Sequence, residues 1–87
     1  MQVYKFVPAF GPIIHDDESF EVILNNPVNI GHRIFIRPSL DWIEPVRFEV
    51  TGICHEPNKL CKLQCQYEDN INEASLEKLH EIFRRRK

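Results

Sequence analysis

From Val46 to Tyr67 the chain keeps a period of two. Val46, Phe48, Val50, Gly52 and Cys54 alternate with Arg47, Glu49 and Thr51, and Cys61, Leu63, Cys65 and Tyr67 alternate with Lys62, Gln64 and Gln66. Such alternation predicts two strands, over about 46–54 and 60–67, each with one wet face. Between them, Glu56-Pro57-Asn58-Lys59 places proline at the second and asparagine at the third position of a type I turn. A turn there sets Cys54 opposite Cys61, Val50 opposite Cys65 and Phe48 opposite Tyr67, with every apolar residue on one face.

Shorter β-rich runs precede this hairpin. Residues 3–7 are β-branched and aromatic and are closed by Pro8 and Gly11-Pro12, after which Ile13-Ile14 offer a brief resumption of pairing. The polar run His15-Asp16-Asp17-Glu18-Ser19 reads as a turn, and Phe20, Val22 and Leu24 then alternate in a strand over about 20–24 that Asn25-Asn26-Pro27 ends. Gly31 precedes a strand over about 33–37, and Pro38 to Pro45 forms a loop whose Trp42 and Ile43 are expected to fold back on the core. After residue 70 the period changes. Asn70 followed three residues later by Glu73 matches a capping box, and Ala74, Leu76, Leu79, Ile82 and Phe83 recur at helical spacing, which predicts an amphipathic helix over about 71–85. Glutamates near its start and Arg84, Arg85, Arg86 and Lys87 at its end complement the helix macrodipole. The expected class is α+β, mainly β: about five antiparallel strands and one C-terminal helix. One helix covers only part of an apolar sheet face, so the sheet is expected to curl into a small barrel or roll, with an open antiparallel sheet backed by the helix as the alternative.

Composition narrows the class further. At 87 residues, 43% hydrophobic and 28% charged, the chain reads as a single globular domain over 1–87. Its apolar runs fall far short of the roughly 20 residues of a membrane span. No signal-peptide pattern opens the sequence, so a cytoplasmic location is the expectation. The net charge of −2 conceals an asymmetry: with Arg84 to Lys87 set aside, 7 basic residues stand against 13 acidic ones, giving −6. An acidic body with a basic tail argues against a polyanion binder that uses its whole surface, and leaves Arg84, Arg85, Arg86 and Lys87 as the candidates for phosphate contact.

Residues able to carry chemistry are scattered. Cys54, His55, Cys61 and Cys65 are four soft ligands in twelve positions, but they lack the spacing of a zinc knuckle. Along an extended strand Cys61 and Cys65 lie roughly 13 Å apart, so all three cysteines are expected to be reduced and buried in the core. A nucleophilic Cys54 would need His15, His32 or His80 as its base, and nothing in the sequence selects one. His15-Asp16-Asp17-Glu18 resembles a hard-metal or acid–base run, though such a turn is ordinarily solvated. His80 reads as a boundary residue of the helix. Gly11, Gly31 and Gly52 assemble no phosphate-binding fingerprint, so the expectation is no catalytic motif, no metal and no cofactor. The aromatics mostly fall in core phase. Ile23, Phe35 and Ile53 do not, and apolar residues on the wet face of a small sheet mark a partner surface.

Residues 28–57, with Gly31, the Arg33 to Arg37 strand and Phe48-Glu49-Val50-Thr51-Gly52-Ile53-Cys54-His55-Glu56-Pro57, resemble the central strands of small SH3-like barrels in uncharacterised bacterial, phage and gene-cassette proteins. The resemblance implies an SH3-like barrel and an accessory-gene setting, and it carries no residue role. The functional expectation is a small non-enzymatic binding or assembly module acting as a homo-oligomer, a dimer or a higher symmetric assembly. The alternative is a nucleic-acid-binding accessory protein that uses the barrel face and the basic tail.

Overall fold

The structure, a computed structural model, describes residues 1–25, 28–69 and 72–86. Along the chain come β1 (Gln2–Phe10), β2 (Ile13–Ile14), a 3-10 turn (Asp16–Glu18), β3 (Phe20–Leu24), β4 (Arg33–Ile36), β5 (Val46–Cys54), β6 (Lys62–Tyr67) and α1 (Glu73–Arg85). The class is α+β, mainly β. The strands form one mixed sheet ordered β2-β1-β6-β5-β4, with β3 also pairing β1, and the sheet is open, so no barrel closes. An all-antiparallel sheet was expected, but β1 and β6 run parallel, Phe6 beside Leu63 and Pro8 beside Cys65. Side-chain alternation is the same in parallel and antiparallel strands, so the sequence pattern does not distinguish them.

Pro8, expected to close the first strand, lies inside β1 instead. Its carbonyl accepts the His15 N–H at 2.9 Å, on the edge that β3 and β2 share. In a strand a residue's N–H and C=O point to the same side, so the N–H that proline lacks faces the gap between β3 and β2 and leaves the β6 ladder intact. The gap is filled by the 3-10 turn, and Gly11, at φ +64°, closes the tight turn from β1 to β2.

The β5–β6 pairing follows expectation at Phe48↔Tyr67 and Val50↔Cys65 and then departs from it. A bulge between Val50 and Gly52 shifts the register, so that Gly52 meets Gln64, Ile53 meets Leu63 and Cys54 meets Lys62. One extra residue reverses every side chain beyond it. Ile53, expected on the wet face, therefore packs against the core, and Cys54, expected in the core, is exposed. The connecting turn keeps its positions, with the Lys59 N–H donating to the Glu56 carbonyl at 3.2 Å. Asn58 has φ +62°, the sign a type II turn requires at that position and a type I turn excludes.

The core lies between the inner face of the sheet and α1. Phe6 packs edge-on to Phe48 with ring centroids 4.9 Å apart, and Phe20 lies 5.0 Å from both Phe6 and Phe83. Leu79 and Phe83 are the fully buried residues of the helix. The helix is capped by Asn72, whose side chain accepts the Ser75 N–H at 2.8 Å. Asn70, the expected cap, lies outside the described residues, as does the turn expected at Asn26-Pro27. Trp42 packs against the core as expected, whereas Ile43 is exposed, because the loop bends between them and adjacent side chains face apart. No helix among the described residues is long and apolar enough to cross a membrane.

Candidate functional site

Two places gather functional side chains. The first is the β4 end of the sheet. Phe35 pairs with Arg47 on the outer face and is 61% exposed. It shares a cleft of about 350 Å³ with Trp42, Glu44, Pro45, Val46, Arg47 and Asp69. In the loop beside it, Leu40 is 97% and Ile43 90% exposed. The far edge of β4 pairs with no strand among the described residues. Arg33 on this strand is engaged by Glu68 at 3.1 Å and, more distantly, by Glu49 at 4.0 Å. Arg47 reaches Asp69 at 3.4 Å, and the Asp69 carboxylate also accepts the Arg47 backbone N–H at 2.7 Å. Of the other expected interface residues, Ile23 is exposed on β3 at the opposite edge of the sheet, and Ile53 has been drawn to the core side by the bulge.

The second place joins the 3-10 turn to the helix. Glu18, expected to be solvated, is fully buried. His80 Nδ1 lies 2.7 and 2.8 Å from its two carboxylate oxygens, His15 Nδ1 lies 3.5 Å from Oε2, and the Arg84 guanidinium reaches the same oxygen at 3.5 Å. The Phe10 ring packs against both imidazoles, with centroids 5.4 Å from His15 and 4.5 Å from His80. A 3-10 turn brings His15 and Glu18 together, since residues three apart eclipse in that geometry. His80 sits one position beyond Leu79, on the rim of the buried helix face. The sequence run signalled His15 and Glu18, but their link to His80, 62 residues from Glu18, needs the fold.

The expected phosphate contacts are partly committed within the chain. Arg84 is drawn to Glu18, Arg85 pairs with Glu81, and Arg86 stacks over the Phe20 ring at 4.8 Å. Lys87 lies outside the described residues. Arg86 also joins Lys5, Lys59 and Lys62 in lining an open cleft of about 810 Å³, with Asp16 and Glu21 on its wall. Glu56 bridges Lys59 and Lys62, and the hydrogen bond from Lys59 holds its carboxyl below the usual range, helped by the charge of Lys62.

The cysteines divide. Cys65 is fully buried and burial pushes its thiol up to about 12, while Cys61 is also raised, by burial first and by Cys54 second. Cys61 Sγ lies 4.0 Å from His55 Nε2, and Cys54 is exposed. No family model, no curated protein and no solved structure matches the chain.

Proposed function

We propose that this chain is a non-enzymatic assembly module that works by binding a second copy of itself through the β4 end of its sheet. The observation that carries the reading is the grouping of Phe35 with Trp42 and Pro45 in one cleft, with Leu40 and Ile43 exposed in the same loop as Trp42, along a strand whose outer edge pairs with no strand among the described residues. Large apolar side chains clustered on a small domain are a surface awaiting cover. An unpaired edge adds backbone donors and acceptors ready to extend a sheet. Arg37 follows the strand directly, and Asp41 and Glu44 stand in the adjoining loop. A two-fold operation would therefore bring both signs of charge to each side of the apolar centre. Light scattering coupled to size exclusion at micromolar concentration tests the reading. A mass of two chains, falling to one chain in a folded Phe35→Glu variant, is expected; a wild-type monomer in moderate salt overturns it.

A second reading, contact with a nucleic-acid backbone, is supported by the four cations Lys5, Lys59, Lys62 and Arg86 around one open cleft. Its signature is a steep fall of affinity for single- or double-stranded DNA or RNA with added salt. Apolar self-association lacks that dependence.

A further inference from the structure

We infer that His15, Glu18 and His80 form a binding site for a divalent transition-metal ion, with zinc as the best match, that ties the helix to the 3-10 turn. The donor atoms of the three residues all lie within 4.8 Å of one another. Two imidazoles and one carboxylate are a donor set zinc uses, and their mixture of nitrogen and oxygen does not suit calcium or magnesium, which take oxygen alone.

His80 and Glu18 form a closed pair, whereas His15 stands off from the same carboxylate at a separation that suits ligands around an ion. A fully buried carboxylate needs both oxygens satisfied. Here one nitrogen, His80 Nδ1, is shared between them at 2.7 and 2.8 Å. His15 Nδ1 and the Arg84 guanidinium both stop at 3.5 Å from Oε2, beyond ordinary hydrogen-bond range. Zinc with bonds of about 2.1 Å in tetrahedral geometry holds neighbouring donors roughly 3.4 Å apart, the separation already present between His15 and Glu18. The His80 contact needs to open by less than about 1 Å to match. Both imidazoles present the same atom, Nδ1, to the carboxylate, and Phe10 packs against each ring, so the orientations are set before an ion arrives. Arg84, which reaches Glu18 Oε2, would oppose a cation. Its side chain is 59% exposed, so it can withdraw to water as the ion takes over the charge of Glu18.

The two clefts described above are lined by neither His15, Glu18 nor His80. With three protein donors the fourth position of the ion would be taken by water, and the role assigned to it is to join the helix to the 3-10 turn. A chain of 87 residues has a small core, and an ion joining residues 15 and 18 to residue 80 would staple its two ends.

The test uses the whole chain, stripped with a chelator and titrated with Zn²⁺ and with Co²⁺ as a visible probe. The expected result is one equivalent bound and a rise in melting temperature of roughly 10 °C or more at a hundredfold excess over Kd. The Co²⁺ spectrum is expected to lack thiolate charge transfer. Binding should be lost in a folded His15→Asn variant and retained in Cys61→Ser, which breaks the separate thiol–imidazole pair with His55. Failure to bind one equivalent overturns the proposal, as does binding that survives His15→Asn or disappears with Cys61→Ser. If His15→Asn does not fold, the wild-type protein decides by nuclear magnetic resonance. Zn²⁺ must then shift Nδ1 of both His15 and His80, and unmoved resonances sink the idea.

Discussion

Cys54 and Cys65 stand eleven positions apart on neighbouring strands, yet their chemistry differs because one residue of bulge separates their faces. Without the bulge Cys54 would share the inner face with Val50; with it, the thiol opens to water while Cys65 stays fully enclosed. A thiol reagent added to the folded protein is therefore expected to modify Cys54 within the mixing phase and Cys61 and Cys65 only on unfolding, read by mass spectrometry of the time course. Equal labelling of all three without denaturant would contradict the register. The raised thiol of Cys65 also carries a sign for stability. Its folded value of about 12 lies above the ordinary thiol value of 9.0, so the folded state keeps a proton that the unfolded chain gives up. That contribution is complete below pH 9 and drains away as pH rises towards 12, so unfolding in denaturant should become easier across that window. Cys65→Ala should flatten the slope. Tyr67 shows the reverse of a satisfied polar group: its hydroxyl is buried and has no hydrogen-bond partner among the described residues, and burial, with the nearby Asp69, pushes the phenol up. Tyr67→Phe removes an uncompensated donor, and a stability equal to or about 1 kcal/mol above wild type is expected from denaturant midpoints.

At the scale of elements, what was legible in the sequence is the local part of the fold. The period of two in residues 46–67 marked a hairpin, and the pairs Phe48↔Tyr67 and Val50↔Cys65 followed from it. The bulge was not legible, because Thr51-Gly52-Ile53 continues the same alternation, and a Cβ added at Gly52 would meet the Gln64 side chain at 3.4 Å, a packing contact that does not by itself demand glycine. The parallel partner of β1 was hidden for a similar reason, since pairing partners far apart in sequence leave no trace in alternation. For the helix, the apolar stripe named Leu79 and Phe83 correctly, and the cap fell two residues later than the motif indicated. Leu79 is fully buried, and Leu79→Ala should cost about 2 to 4 kcal/mol of stability in chemical denaturation, the price of a cavity between helix and sheet. An unchanged midpoint would mean that the helix does not dock where Phe20 and Phe83 meet. The His15–Glu18–His80 cluster lies between these cases. The run of His15 to Glu18 was visible as candidate chemistry, but the burial of Glu18 is produced by the 3-10 turn and by a helix 62 residues away, which no local pattern encodes.

The whole molecule has two sheet edges, and they are not equivalent. At one end β3 presents Ile23, 64% exposed, on a strand that shares its edge of β1 with β2 and the 3-10 turn. At the other end β4 presents Phe35, the loop after it exposes Leu40 and Ile43, and among the described residues no further strand pairs its outer edge. Contact of β4 with β4 of a second copy uses the same surface twice and closes at two chains. Contact of β4 with β3 uses two surfaces, leaves one of each free, and continues into a ring or a filament. The proposed dimer takes the closed form, because Phe35, Trp42 and Pro45 line one cleft and the loop that supplies Trp42 and Pro45 also exposes Leu40 and Ile43, whereas Ile23 stands on the far side of β1, β6 and β5 from them. Burying a large apolar side chain contributes roughly 1.5 to 3 kcal/mol, so Phe35, Leu40 and Ile43 together can hold a dimer without help from Ile23. Sedimentation velocity over a hundredfold range of concentration is expected to show mass levelling at two chains. Ile43→Asp should shift the protein to monomer while Ile23→Glu leaves the dimer intact. Growth beyond two chains with concentration, abolished by Ile23→Glu, would instead place the contact head to tail between β3 and β4.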